Sequence, residues 1–185
     1  MLVKSFGAAV QGIDATIITV EVNVSSGIKF FLVGLPDNAI KESHERIMSA
    51  FGHKGYKFPR QQVIINMAPA DIRKAGSSYD LPIAMGILAA SGELSEKLLN
   101  EYVIMGELSL DGKVLPIKGA LPIAVKAREV GFKGLILPKE NAREAAVVNE
   151  LDILGVDDIS EVVDFLNEKT KIETTIPNTI GKAIF

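Results

Sequence analysis

The chain has 185 residues, of which 48% are hydrophobic, and a formal net charge of −3. This length and apolar content predict one domain with a sizeable core, and the charge argues against a strongly basic nucleic-acid module without excluding a local basic face. The absence of cysteine excludes disulfides, thiolate nucleophiles and cysteine metal sites. No apolar stretch approaches the roughly 18 residues of a membrane span, and the N-terminus lacks the apolar region of a signal peptide. We therefore expect a soluble, cytoplasmic protein.

The N-terminal part of the chain has the pattern of β-strands. Residues 3–10, 15–24 and 28–33 are rich in β-branched residues, and the second stretch alternates apolar and polar side chains. Turn-forming residues separate the three stretches. We predict that these strands form an antiparallel meander.

A helix is predicted next, capped by Asp37 or Asn38 and reaching about Phe51. Its expected apolar stripe and its expected solvent-facing residues follow the helical period. The stripe consists of Ile40, Ile47, Met48 and Phe51, and the solvent face of Lys41, Glu42, Glu45 and Arg46. His44 lies among the charged residues of this helix and is expected to be exposed, without a metal-binding role.

The most informative stretch is residues 66–84, which follows a short strand at residues 62–66. A polar loop with a glycine leads into residues 81–90, whose nearly continuous apolar character predicts a buried helix. Ser77, Ser78 and Asp80 can cap this helix, and Pro82 is tolerated only in its first turn. The positive end of a buried helix beside a polar loop suits an anion, a nucleophile or a partner carboxylate.

The second half of the chain alternates strands and helices. The predicted elements are a strand at 103–105, a hairpin at 106–114 with Asp-Gly at its turn, a helix at 121–130, a strand at 134–137, a helix at 138–148, a strand at 153–156 and a helix from Ser160 to Lys169. Together with the first half, this order predicts an α+β or two-layer α/β domain with a mixed sheet and helices packed on it. Residues 1–168 form that domain in this interpretation, and residues 169–185 a linker or extended arm.

Several motifs together resemble the amino-terminal domain of the YifB/ComM proteins, bacterial AAA+ ATPases described as magnesium-chelatase-subunit-I-like. The stretches that carry the resemblance are Leu-Val-Gly-Leu-Pro-Asp at 32–37, Lys-Glu-Ser-His-Glu-Arg at 41–46, Ala-Pro-Ala-Asp at 68–71 and Asp-Leu-Pro-Ile-Ala at 80–84. Residues 106–117 also resemble the Lon protease domain. The resemblance implies a fold like ribosomal protein S5 domain 2, which the Lon protease domain shares.

The resemblance also implies a nucleotide-binding module that residues 1–185 do not contain. In these proteins an ATPase module with the phosphate loop GxxxxGK[ST] follows the domain, and no such motif occurs in this sequence. Without it the β-phosphate and Mg²⁺ cannot be held, so we expect no cofactor here and expect ATP and Mg²⁺ to bind in a longer protein. The apolar end at Ile184 and Phe185 fits a chain truncated before that module.

Similarity to Lon raises the hypothesis of a Ser-Lys peptidase. When the sequence is laid over the Lon pattern without gaps, Ser77 falls at the nucleophile position and Ile123 at the lysine position. An isoleucine cannot accept the serine proton, so no catalytic residue is predicted, although Lys118 and Lys126 lie near enough in sequence to serve as a displaced base. The alternative role for Ser77 is that of a helix cap.

Two groups of basic residues are candidate phosphate contacts. Arg73 and Lys74 lie beside Gly76 on the central loop, and Lys54, Lys57 and Arg60 form the second group. His53, Tyr56 and Phe58 accompany that second group, and stacking combined with phosphate contact suits single-stranded DNA. The simpler interpretations are a solvated turn and hydrophobic anchors. Asp71 and Asp80 flank the loop and could pair with Arg73 or Lys74, or with a neighbouring subunit; no metal site is expected from them.

The resemblance therefore predicts a non-catalytic domain of a ring-forming, hexameric AAA+ ATPase that acts on DNA in branch migration during recombination and natural transformation. Its expected partners are other copies of itself and DNA, without a membrane. The alternatives are a Lon-like Ser-Lys peptidase domain and a magnesium-chelatase-like motor subunit.

Overall fold

The computed structural model describes residues 1–177, which fold into a seven-stranded mixed sheet, a two-stranded hairpin and six α-helices. The strands are β1 (Leu2–Gln11), β2 (Asp14–Ser25), β3 (Phe30–Val33), β4 (Gln62–Ala68), β5 (Tyr102–Ile104), β6 (Glu107–Leu108), β7 (Val114–Leu115), β8 (Gly134–Pro138) and β9 (Asp152–Val156). The helices are α1 (Asn38–Lys41), α2 (Ser43–Lys54), α3 (Asp80–Ala90), α4 (Ala120–Val130), α5 (Lys139–Ala145) and α6 (Ile159–Leu166). The predicted mixed sheet with packed helices is confirmed.

The strand order is β3-β4-β2-β1-β5-β8-β9, which corrects the predicted meander. β1 and β2 form an antiparallel hairpin, but β3 does not pair with β2. Instead β4 lies between them, antiparallel to β2 and parallel to β3. Parallel neighbours need a crossover connection, and helices α1 and α2 supply it between β3 and β4.

The two ends of the sheet are buried differently. Along β2 and β4 buried residues alternate with half-buried ones, so one face of this part of the sheet is covered and the other is open. Every residue of β8 is buried, as expected for a parallel strand covered on both faces. The predicted hairpin at 106–114 is confirmed as β6 and β7, with Gly112 at a φ of 90° in its turn.

Helix α3 is the centre of the core, because all its residues from Asp80 to Ala90 are buried. This confirms the buried helix predicted from the apolar run. The helix packs on β1 and β2 so closely that a Cβ at Gly86 would lie 2.6 Å from Cγ2 of Val22. Pro82 lies in the first turn, and its carbonyl accepts a hydrogen bond of 2.7 Å from Ser5 Oγ.

Several local predictions need correction. The helix predicted from Asp37 to Phe51 is two helices, α1 and α2, and Met48 is 43% exposed instead of lying in the apolar stripe. Asp37 does cap α1, since its Oδ1 accepts from the Ile40 amide at 2.9 Å. The last helix is capped by Asp158, whose carboxylate accepts from the Ser160 amide, and not by Ser160 itself.

The start of the predicted arm runs beside the outer strand β9. The Thr175 amide donates to the Ile153 carbonyl at 2.7 Å, and Thr174 Oγ1 accepts from the Ile153 amide at 2.9 Å. The rest of the predicted arm, residues 178–185, lies outside the described residues. Within residues 1–177, no helix combines the length and the hydropathy that crossing a membrane requires.

Candidate functional site

The central loop, residues 69–76, joins β4 to a short 3-10 turn at Ser77–Tyr79. Lys74 of this loop is fully buried, and its ammonium donates to the carbonyl oxygens of Gly34, at 2.7 Å, and Pro69. Its backbone also bridges to the 34–37 turn, because its amide donates to Leu35 and its carbonyl accepts from Asp37. Burial lowers the pKa of Lys74, and the charge of Asp71 opposes this effect. Lys74 therefore stabilises the loop from within, and its prediction as a phosphate contact is wrong.

Asp37 ties the same loop to the start of α1. One carboxylate oxygen caps the helix through Ile40, and the other accepts from the Gly76 amide at 2.9 Å. Gly76 has a φ of 90°, a conformation in the region that favours glycine. The positions of Gly34, Asp37 and Gly76 thus determine how the chain enters the turn that carries Ser77.

A buried ion pair fixes the beginning of α3. The Arg46 guanidinium donates to both carboxylate oxygens of Asp80, at 2.7 and 2.9 Å, and to the Ala39 carbonyl at 2.6 Å. The Leu108 amide donates to Asp80 as well, at 3.0 Å. Burial raises the pKa of Asp80, and the bonds from Arg46 and Leu108 act in the opposite direction. The predicted water-facing role of Arg46 is wrong, and Asp80 pairs with it and not with Arg73 or Lys74.

The turn at Ser77–Tyr79 forms one wall of a cavity of about 440 Å³. Ser77 and Ile123, the two positions that correspond to the Lon dyad, both line this cavity, and so does Lys118. Among residues 1–177, no lysine hydrogen-bonds to the Ser77 hydroxyl, and no side chain caps either the 3-10 turn or α3. Lys126 is not among the residues that line this cavity, and its ammonium pairs with Glu129 at 3.2 Å.

A second concave surface lies between β3, α2 and residues 58–63, with a volume of about 500 Å³. We call it the basic–aromatic groove. Its lining residues are Ile28, Lys29, Phe30, His44, Met48, Phe58, Pro59, Arg60, Gln61 and Val63. The imidazole of His44 stacks on the Phe30 ring with centroids 3.9 Å apart and planes inclined by 2°. His44 is thus half-buried in an aromatic stack, where the sequence predicted an exposed side chain.

The candidate phosphate contacts separate into two groups in the structure. Arg73, Lys57 and Arg60 are exposed, and Asp71 is an exposed residue of the central loop. Lys54 is not free, because its ammonium lies 2.6 Å from Asp158. Tyr56 and Phe58 are half-buried against Phe51, so both anchor their segment to the core. No group of three or more histidine, aspartate or glutamate side chains within residues 1–177 is arranged to hold a metal.

Sequence reasoning missed Lys29, Phe30 and Met48 as members of the groove. Phe30 begins the edge strand β3, Lys29 precedes it, and the Phe30 ring meets α2 through its stack on His44. Met48 offered one local clue, because it lies at the margin of the predicted apolar stripe. In the structure its side chain is 43% exposed.

Residues 20–141, about two thirds of the chain, match the family described as subunit ChlI of Mg-chelatase. This chain belongs to the ChlI family. It is 38% identical over 168 residues to competence protein ComM of Haemophilus influenzae, covering 90% of this chain and 33% of that protein. It is 40% identical over 178 residues to the uncharacterized protein YifB of Escherichia coli, covering 95% of this chain and 35% of that protein. The recognition of a ComM- and YifB-like sequence is confirmed.

The similarity to Lon is weaker. Lon protease of Finegoldia magna is 28% identical over 146 residues, which covers 75% of this chain and 19% of that protein. The ChlI-family chain described here spans about a third of the length of its ComM and YifB relatives. Two thirds of those proteins therefore have no counterpart in the present sequence.

Proposed function

We propose that this ChlI-family chain is a non-catalytic domain of a ComM- and YifB-like AAA+ ATPase, in which it supports ring assembly and contacts DNA. The longer protein would bind ATP and Mg²⁺ and act as a branch-migration helicase in recombination and natural transformation, consistent with the competence protein among its relatives. The observation that best supports DNA contact is the basic–aromatic groove. Its exposed cations have no ion-pair partner within residues 1–177.

The chemistry of the groove suits a polyanion. Lys29 and Arg60 line it, Lys57 lies beside it, and no carboxylate is among its lining residues. A lysine or arginine that already pairs with a carboxylate must lose that partner to bind phosphate, whereas these three cations lose only water. Arg73 is a further exposed cation, on a different loop.

Ring assembly is supported by the edge strand β3. This strand pairs with β4 on one side only, and Phe31 and Val33 are 42% and 47% exposed. An unpaired edge with large apolar side chains is a surface that other chains pair with readily. Sedimentation equilibrium of the chain and of its Val33→Lys variant tests this role: the variant should associate less, and equal association would assign assembly to another surface.

The DNA role is tested by fluorescence anisotropy with a labelled oligonucleotide across a salt series. The Lys57→Gln/Arg60→Gln variant should bind more weakly and lower the salt slope by about 2, since each phosphate contact contributes about 1. Arg128→Gln is the matched control, because Arg128 is an exposed arginine of α4 outside the groove. Arg73→Gln reports on the central loop separately. Binding that is unchanged in every variant would contradict DNA contact through these residues.

The second candidate function is a serine hydrolase, and one observation favours it: Ser77 and Lys118 line the same cavity. In that case Lys118 would have to move within about 3 Å of the serine oxygen to take its proton. A fluorophosphonate probe tests this candidate directly. Labelling that disappears in both Ser77→Ala and Lys118→Met would support the hydrolase, and labelling of neither the wild type nor the variants would exclude it.

A further inference from the structure

The floor of the basic–aromatic groove is built from rings. Phe30 and His44 stack face to face at 3.9 Å, and the Phe58 ring lies 5.2 Å from His44 and 6.2 Å from Phe30. All three residues are half-buried and line the groove. Flat aromatic surfaces of this kind suit another flat ring better than they suit an aliphatic side chain.

His44 contributes as an uncharged ring. Burial lowers its pKa, and the neighbouring charge of Glu45 opposes the change. Near neutral pH the imidazole is therefore a flat, neutral surface, and the positive charge of the groove comes from its rim.

Two cations from different segments of the chain line the groove together with these rings. Lys29 immediately precedes β3, and Arg60 follows Phe58 in the segment before β4. Arg60 also lines a neighbouring cavity of about 690 Å³, together with Lys57 and Glu93. A chain of phosphates could therefore follow Lys29, Arg60 and Lys57 while one base between them entered the groove.

The volume of the groove, about 500 Å³, is within the range of pockets that hold small ligands, about 300–1,000 Å³. Met48 and Ile28 border the rings, being 43% and 92% exposed, and supply apolar surface to the edge of a planar guest. Paired bases in a duplex cannot present their faces, whereas an unpaired base can leave the stack and bind on aromatic side chains.

We propose that the basic–aromatic groove binds an unpaired nucleobase, so that this domain prefers single-stranded over double-stranded DNA. His44, Phe30 and Phe58 supply the stacking surface, and Lys29 and Arg60 hold the flanking phosphates. This inference rests on the proposed DNA contact and specifies its substrate.

The test is an NMR titration of the isotope-labelled 185-residue chain, which detects weak binding without ring assembly. Three probes of equal length are compared: a thymine oligonucleotide, the same strand with abasic sites, and a duplex. The thymine strand should bind about tenfold more tightly than the abasic strand, since the abasic strand has no bases to stack on the rings. The largest shifts should fall on residues 28–30, 44, 48 and 58–60.

Variants of His44 separate stacking from charge. His44→Leu should lose most of the preference for bases and leave the affinity for the abasic strand unchanged. His44→Phe, which restores a ring, should recover that preference. His53→Leu is the matched control, because His53 is an exposed histidine at the end of the same helix and outside the groove.

Three results would overturn the inference, and they differ from failure of the proposed function. Equal affinity for the thymine and abasic strands would show contact with phosphate alone, which leaves DNA binding intact. Shifts in the groove that are stronger with an acidic phenylalanine-containing peptide than with the thymine strand would assign the groove to a protein partner. Absence of binding to all three DNA probes would remove both the proposed DNA contact and the base site.

Discussion

The central loop and the basic–aromatic groove use the same residue types in opposite ways. In the central loop, Lys74 is buried and its ammonium is saturated by carbonyl oxygens of its own chain. At the groove, Lys29 and Arg60 have no ion-pair partner within residues 1–177, and the aromatic rings remain half-exposed. The loop that carries the strongest motif is thus internally satisfied, while the cations of the groove face solvent without a carboxylate partner in the described part of the chain.

The groups that already surround a cation, more than the motif that contains it, determine what it can bind. A buried ammonium that donates to two carbonyls would leave both acceptors unsatisfied if it turned to a phosphate. An exposed lysine exchanges only water and counterions when it does so. Changes at the buried Lys74 should therefore act on stability, and changes at the groove should act on binding.

The largest expected effect is on the buried ion pair beside the loop. Arg46→Ala leaves the Asp80 carboxylate buried without its bidentate partner, which should lower the free energy of unfolding by about 3–5 kcal/mol. Urea denaturation measures this loss. The double variant Arg46→Met/Asp80→Asn should recover part of it, because no uncompensated charge remains. A loss below about 1 kcal/mol in the single variant would place this pair with the weak surface pairs.

The next largest loss of stability is expected for Lys74→Met, at the buried lysine of the central loop. It removes the donor to the Gly34 and Pro69 carbonyls and should cost about 1–3 kcal/mol of folding free energy. Lys57→Met, at an exposed lysine beside the groove, should change stability by less than about 0.5 kcal/mol and instead weaken DNA binding. A loss of stability in Lys57→Met, together with unchanged stability in Lys74→Met, would contradict the distinction between the two regions.

A smaller and pH-dependent effect is expected at Asp158, which joins α6 to α2 through Lys54. Burial by itself raises the pKa of Asp158, but the hydrogen bonds from Lys54 and Ser160 outweigh it and lower that pKa to about 2. A folded pKa below the unfolded one means that the stabilisation is complete above about pH 4 and is lost as the pH falls toward 2.

Asp158→Asn keeps an N-cap side chain and removes the charge, so it isolates this effect. Its free energy of unfolding should be about 1 kcal/mol lower than that of the wild type at pH 7. Urea curves at pH 7, 4 and 3 should show the difference narrowing at the lowest pH. A difference that does not depend on pH would mean that the ion pair with Lys54 contributes nothing measurable.

The smallest effect is expected at Arg73, the exposed cation of the central loop. Arg73→Ala should change the free energy of unfolding by less than about 0.5 kcal/mol in thermal or urea denaturation, because its side chain is exposed. A loss comparable to that of Lys74→Met would show that Arg73 also supports the loop from within.

The candidate site was only partly predictable from the sequence. The choice of Arg60, Lys57 and Phe58 came from a local run of basic and aromatic residues, but His44 and Phe30 lie about 15 to 30 residues away in the chain. They join the site because folding stacks His44 of α2 on Phe30 of β3, a contact that no local period encodes. Arg46 has the spacing of a solvent-facing helical residue, and only the arrival of Asp80 makes it a buried partner.

Local sequence signals were sufficient to predict several elements: the apolar run of α3, the alternation in β2 and the Asp-Gly turn of the hairpin. The sequence also determined membership of the ChlI family. Tertiary structure decided that β4 separates β3 from β2, and that Lys74 is buried while Lys57 is exposed. The physical reason is that hydrophobic period and turn chemistry act between near neighbours, whereas strand order and the partner of a charge depend on residues that only folding brings together.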